Sequence, residues 1–130
     1  MVVRSFLAYM EIDIPFDFKV NLRTFLRRAG YTEFVDPNTS QASYTRRLSR
    51  DYYPRFHLYL KERDGKDILN LHLDQKKPSY PGSQAHSGEY DTAVVQREVS
   101  RIQGLIKNQI DNQVQQTEPK KKGFFAKLFS

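Results

Sequence analysis

The dipeptide Asp64-Gly65 sits between two runs of alternating apolar and polar residues within Arg55 to Asp74, and this leaves the chain little local choice. Both central positions of a two-residue hairpin loop need positive φ, which Asp tolerates and Gly adopts freely, so the segment predicts a β-hairpin. With Asp64 and Gly65 as the loop, opposed residues have numbers that sum to 129. Phe56 then faces Leu73, Leu58 faces Leu71 and Leu60 faces Leu69 on an apolar side. On the other side His57 faces His72 and Tyr59 faces Asn70, with Asp74 two residues beyond His72 on the same face.

The rest of the chain supplies partners for this hairpin. Arg4 to Phe16 alternates as one strand, with Phe6, Ala8, Met10 and Ile12 on one side and Leu7, Tyr9, Glu11 and Asp13 on the other. Asp17 is placed to cap a helix whose apolar residues Phe18, Leu22, Phe25, Leu26 and Ala29 keep helical spacing, with Gly30 as its stop. Asp36-Pro37-Asn38 marks a turn within Val35 to Ser40, and Ala42 to Ser49 extends as a short strand. From Asp91, a plausible cap, Val95, Val99, Ile102, Ile106 and Ile110 form one stripe of a second helix running to about Gln113.

These elements predict an α+β domain: a small antiparallel sheet containing the central hairpin, with two helices on one face and a flexible C-terminal tail. Residues 1–113 are expected to form the compact domain, 114–123 a polar basic linker and 124–130 a short amphipathic tail. With 130 residues, nine Phe and eight Tyr, the chain is long enough for one core and too short for two ordinary domains.

Composition removes several functional classes. The absence of cysteine excludes a disulfide framework, thiolate metal ligation and a cysteine nucleophile, and favours a cytoplasmic location. The apolar run Phe6 to Met10 is shorter than the core of a secretory signal, and no segment is long enough to span a bilayer. No GxGxxG, P-loop, GxSxG or HExxH pattern occurs, which sets aside the common nucleotide and hydrolase signatures.

The polar side of the hairpin is the candidate site. Opposed residues in an antiparallel pair have Cβ atoms roughly 4.5–5.5 Å apart, so two imidazoles there can share one ion with a carboxylate added. His57, His72, Asp74 and His86 are therefore candidate ligands for a divalent metal such as zinc, iron or manganese. Tyr59, Lys76 and Glu89 extend the same region as ligand-binding candidates, and the 16 residues Gln75 to Tyr90 read as a long Pro-, Gly- and Ser-rich loop beside it. A binding domain for an ion or small ligand is the leading reading. The alternative is an enzyme, either a metal-assisted hydrolase or a histidine-based acid–base catalyst using that face. The plain structural alternative is a half-exposed polar pair on a solvated face.

Two further surfaces carry charge. Arg46, Arg47, Arg50 and Arg55 are interleaved with Tyr44, Tyr52 and Tyr53, a mixture suited to an RNA-binding module and equally to a strand edge with its turn. The formal net charge of +6 weakens the nucleic-acid reading, because four lysines lie beyond Pro119, leaving 17 basic against 15 acidic side chains elsewhere. In that C-terminal stretch Phe124, Phe125, Leu128 and Phe129 are spaced to share one side of a helix, with Lys120, Lys121, Lys122 and Lys127 before and between them. Lys120 to Phe129 is similar to the basic, Phe-rich membrane-targeting ends of some peripheral bacterial proteins. The resemblance implies contact with an anionic membrane surface, the inner face for a cytoplasmic protein, and a groove on a protein partner is the other fit for the same residues.

Overall fold

The computed structural model of the 130-residue chain describes residues 1–6, 9–75 and 92–129, the last segment with side chains for 93–115 only. Its strands are β1 (Val3–Ser5), β2 (Met10–Asp13), β3 (Thr32–Val35), β4 (Ala42–Arg47), β5 (Arg55–Arg63) and β6 (Lys66–Asp74). The helices are α1 (Leu22–Arg28), between β2 and β3, and α2 (Thr92–Phe129), after β6. One antiparallel six-stranded sheet has the order β1-β2-β6-β5-β4-β3.

The hairpin at the centre has the register that its turn imposes. Asp64 and Gly65 have φ of 54° and 76°, the positive values of a mirror-image turn whose twist suits the flanking strands. All nine pairs of β5 and β6 follow the sum of 129, including Phe56 with Leu73, His57 with His72 and Tyr59 with Asn70. The first hairpin then docks on β6, where Met10 pairs with Leu71 and Ile12 with Leu69.

Two departures from the sequence expectation have clear causes. The stretch expected as one strand is a hairpin, with Val3 opposite Ile12 and Arg4 opposite Glu11. The Phe6 N–H donates to the Tyr9 carbonyl at 2.9 Å, closing a reversal that carries no Gly or Pro to betray it. Helix α1 starts later than expected. Asn21, not Asp17, is its cap, and the Asn21 side chain accepts from the Thr24 N–H at 3.1 Å. Pro15 to Phe18 instead forms a turn in which the Phe18 N–H donates to the Pro15 carbonyl. Gly30, at φ 99°, ends the helix as expected.

Strand β3 is an addition to the expected set. It pairs with β4 through a turn that Asp36 builds, its side chain accepting from the backbone N–H of Asn38 and Thr39. Alternation places Met10, Ile12, Tyr44, Leu58, Leu69 and Leu71 on one face of the sheet. These side chains join Phe25 and Leu26 of α1 and Val95, Val99, Ile102 and Ile106 of α2 in a single core. Burial of each such aliphatic side chain contributes about 1.5–3 kcal/mol, so the shared core is what fixes both helices to the sheet.

The helical stripe expected from Val95 to Ile110 is the stripe observed, with Ile110 partly buried at its end. Asp91, its expected cap, lies outside the described residues. The stretch read from sequence as linker and tail falls within the span of α2 as far as Phe129, and its side chains from Gln116 onward are outside the described residues.

Candidate functional site

The second face of the sheet is polar and aromatic. Cross-strand pairing sets its rows: Thr45, His57 and His72 lie side by side, and Ser43, Tyr59, Asn70 and Glu11 form the next row. The strand alternation that buries Leu58 and Leu71 on one face therefore carries His57 and His72 to the other.

His57 and His72 are brought together as expected, yet their environments differ. The His57 Nδ1–H donates to Asp74 Oδ2 at 2.9 Å, the direction required by an ionised carboxylate, which only accepts. Arg55 Nε donates to the same oxygen at 3.3 Å. Burial raises the Asp74 carboxyl, but its hydrogen bond from His57 and the adjacent Arg55 outweigh this and hold it below the usual carboxylate range. His72 is pulled below the ordinary histidine value, chiefly by burial and further by the charges of His57 and Lys61, with Asp74 opposing. One imidazole is thus tethered to a carboxylate and the other is biased by burial toward its neutral form.

Rings pack closely around the pair. Tyr59 stacks on His57 with centroids 4.5 Å apart and meets His72 edge-on at 5.5 Å. Tyr9 stacks on His72 at 5.3 Å, and Phe6 on Tyr9 at 4.7 Å. Lys61 Nζ lies 5.7 Å from the centre of the Tyr9 ring. Tyr9 and Phe6 belong to this cluster although sequence alone gives no sign of it, because their placement depends on the unforeseen first hairpin.

Among the described residues, three buried polar atoms on this face have no hydrogen-bond partner: Nε2 of His57 and both Nδ2 and Oδ1 of Asn70. Asn70 is only 1% exposed, so water does not satisfy its amide from outside. Each such orphaned group costs about 1–3 kcal/mol, and buried polar groups in folded proteins are rarely left in that state. Asn70 was legible in the hairpin register as the partner of Tyr59, but nothing in the sequence reveals that its amide stands unpaired.

Glu11 and Asp13 share the face but not the site. Glu11, 1% exposed, accepts from both Arg63 nitrogens at 3.1 Å and from Arg4, and Arg4 also holds Asp13. The Arg63 hydrogen bonds, helped by Arg4, keep the Glu11 carboxyl low despite its burial. Among the described residues no group of three His, Cys, Asp or Glu side chains is placed to hold a metal ion. Lys76, His86 and Glu89 lie outside the described residues, as do the side chains of Lys120, Lys121, Lys122, Phe124, Phe125, Lys127, Leu128 and Phe129.

The arginine–tyrosine group divides in two. Tyr44 is wholly buried and so is not offered to a polyanion, and the Arg46 guanidinium, on a side chain about one-third exposed, reaches inward to Glu98. Glu98 is itself buried and accepts from Arg101 at 2.6 and 3.0 Å and from the Tyr31 hydroxyl at 2.6 Å, an inner cluster joining α2 to the sheet. Arg47, Arg50 and Tyr52 are exposed, and the Arg55 guanidinium lies over the Tyr52 ring at 4.5 Å and over Tyr53 at 5.1 Å. Among the described residues no helix is long and apolar enough to cross a membrane. No protein-family model matches the chain, and no curated protein matches it either.

Proposed function

We propose that the chain is a cytoplasmic binding domain whose polar sheet face takes a small polar ligand between His57, Tyr59, Asn70, His72 and Asp74. The observation that carries this reading is the group of buried atoms without a partner among the described residues, the Asn70 amide and His57 Nε2, lying in adjacent rows of one face. A ligand that donates to Asn70 Oδ1 and accepts from Asn70 Nδ2 would remove a cost the free protein carries. The shared core of α1, α2 and the apolar face supports an arrangement with both helices on that side, leaving the polar face without a helical cover among the described residues. An ion remains a ligand of interest, since His57 Nε2 and His72 present imidazole nitrogen and Asp74 a carboxylate.

Side-chain NMR tests the reading with zinc, manganese, inorganic phosphate, acetamide and nucleosides as separate probes. Saturable shifts of the Asn70 amide and His57 ring signals, lost in Asn70→Leu, are expected for at least one probe. Shifts that persist unchanged in Asn70→Leu, or no shifts with any probe, count against the site.

The enzyme reading is favoured by a separate observation. His57 is oriented by Asp74 through Nδ1 and leaves Nε2 unpartnered, the arrangement in which a histidine serves as a general base. Turnover abolished by His57→Gln would separate catalysis from binding alone. The C-terminal Lys and Phe residues, as an attachment to an anionic membrane or a protein groove, complete the proposal on sequence grounds.

A further inference from the structure

We propose that a second copy of this chain pairs along the outer edge of β3, the end strand of the described sheet, joining two sheets through antiparallel β3 strands. This inference is independent of the ligand reading. Strand β3 is the last in the sheet order, and Phe34 and Val35 on it are 56% and 51% exposed. A strand edge with apolar side chains and neither Lys nor Pro within it is a template for another strand.

The register of such a pair follows from the register of β3 with β4. The Asp36 N–H donates to the Gln41 carbonyl, and residue numbers across this pair sum to 77, as they do for Phe34 with Ser43 and Thr32 with Thr45. Antiparallel ladders alternate, so Thr32 and Phe34 direct their backbone groups to β4, while Glu33 and Val35 direct theirs outward. A two-fold pair must then match odd residues with odd residues.

Three registers compete. Centring on Glu33 sets two carboxylates directly opposite one another, and centring on Val35 requires a backbone N–H from Pro37, which has none. Centring on Phe34 avoids both. Glu33 and Val35 of each copy exchange four backbone hydrogen bonds, and the two Phe34 rings face each other in the closer, non-hydrogen-bonded position. Glu33 then lies opposite Val35 and not its own copy, and its ion pairs with Arg23 at 2.6 Å and Arg27 at 2.9 Å are kept within its own chain. The opposite edge offers no equivalent. The Asp13 N–H donates to the Val2 carbonyl, so Val3 and Ser5 of β1 face outward, and the same two-fold pairing would set Arg4 against its own copy.

The chain contains no cysteine, which makes a single introduced one a clean reporter. In the full chain, Phe34→Cys is expected to form disulfide dimers roughly tenfold or more faster than Phe16→Cys, at a residue that is 70% exposed, because pairing raises the local concentration. Sedimentation of the wild-type chain is expected to move toward twice the monomer mass between about 10 µM and about 1 mM, the range for a small interface. Phe34→Lys and Val35→Pro are each expected to keep the protein monomeric, with Phe34→Lys serving if the proline variant does not fold. Monomer throughout the range, equal cross-linking at both positions, or a dimer that survives Phe34→Lys would overturn the proposal. A monomer that instead captures an extended peptide on β3 would overturn it equally.

Discussion

His57 and His72 are direct cross-strand partners, yet Asp74, two residues past His72 on the same strand, accepts its 2.9 Å hydrogen bond from His57. The pairing leaves His72 with burial as its main influence, and burial favours its neutral form. A histidine held below its unfolded pKa binds fewer protons folded than unfolded in the pH range between the two values. Stability is then fully present above the unfolded value of about 6.5 and falls as pH drops below it. Melting temperature measured from pH 7.5 to 5 is expected to decline in wild type and to flatten in His72→Phe. The His72 ring proton, followed by NMR, is expected to titrate below the ordinary value.

Asp74, Glu11 and Asp13 are all held low, so their contribution is present above the unfolded carboxylate range of about 3.9–4.3 and is lost as pH falls through it. A second, steeper loss of stability is expected below about pH 4, separable from the histidine phase because it survives in His72→Phe. Glu11→Gln is expected to reduce the acid phase. An acid limb identical in wild type and Glu11→Gln would show that the Arg4 and Arg63 contacts do not persist in solution.

Asn70→Leu addresses stability and binding at once. The amide is buried without partners among the described residues, so a similarly sized apolar side chain removes an unmet desolvation cost. The variant is expected to be more stable than wild type by about 1 kcal/mol or more in urea unfolding, with an unchanged slope. Gain of stability with loss of ligand response would mark the residue as one held for function. Clear destabilisation would mean that the amide is satisfied in solution.

How much of this was legible depends on which contacts are local. The β5–β6 register, the facing histidines and the stripe of α2 follow from a turn dipeptide and a period, both written in adjacent residues. The first hairpin was not legible, since no Gly or Pro stands between β1 and β2 and strict alternation reads equally well as one strand. β3 was hidden for a related reason: its four residues precede a turn whose Asp-Pro-Asn signal was visible while the strand was too short to show a period. The Glu98 cluster was beyond reach because Tyr31, Arg46 and Glu98 come from distant parts of the chain and meet only once α2 packs on the sheet.

That cluster gives a ranking among single substitutions. Glu98→Ala strips the acceptor from Arg101 and from the buried Tyr31 hydroxyl, so a loss of about 1–3 kcal/mol is expected. Arg46→Ala removes only contacts at 3.5 Å from a guanidinium that is one-third exposed, and is expected to cost less. The order is checked by denaturant unfolding. A larger loss from Arg46→Ala would place its weight in side-chain packing beside Gly30, where a Cβ added to the glycine would meet Arg46 Nε and Cδ at ordinary van der Waals distance, rather than in charge pairing.

The C-terminal residues offer the last test, resting on sequence spacing and charge. Each lysine near an anionic bilayer contributes about 1 kcal/mol, and a fully buried Phe or Leu roughly 1.5–3 kcal/mol, before the cost of ordering the segment. Weak, reversible attachment is expected, because four lysines and four apolar side chains act together while none suffices alone. Removing 123–130 is expected to abolish sedimentation with phosphatidylserine-containing liposomes and to leave the melting temperature nearly unchanged, since Ile110 is the last core residue among the described residues. Phe125→Ser with Phe129→Ser is expected to lose most of the binding, and high salt part of it, which distinguishes apolar insertion from charge alone. Sedimentation of the truncated chain at the wild-type level would move the contact to the exposed arginines of α1, whereas a sharply lowered melting temperature would show that the end of α2 belongs to the fold and is no anchor.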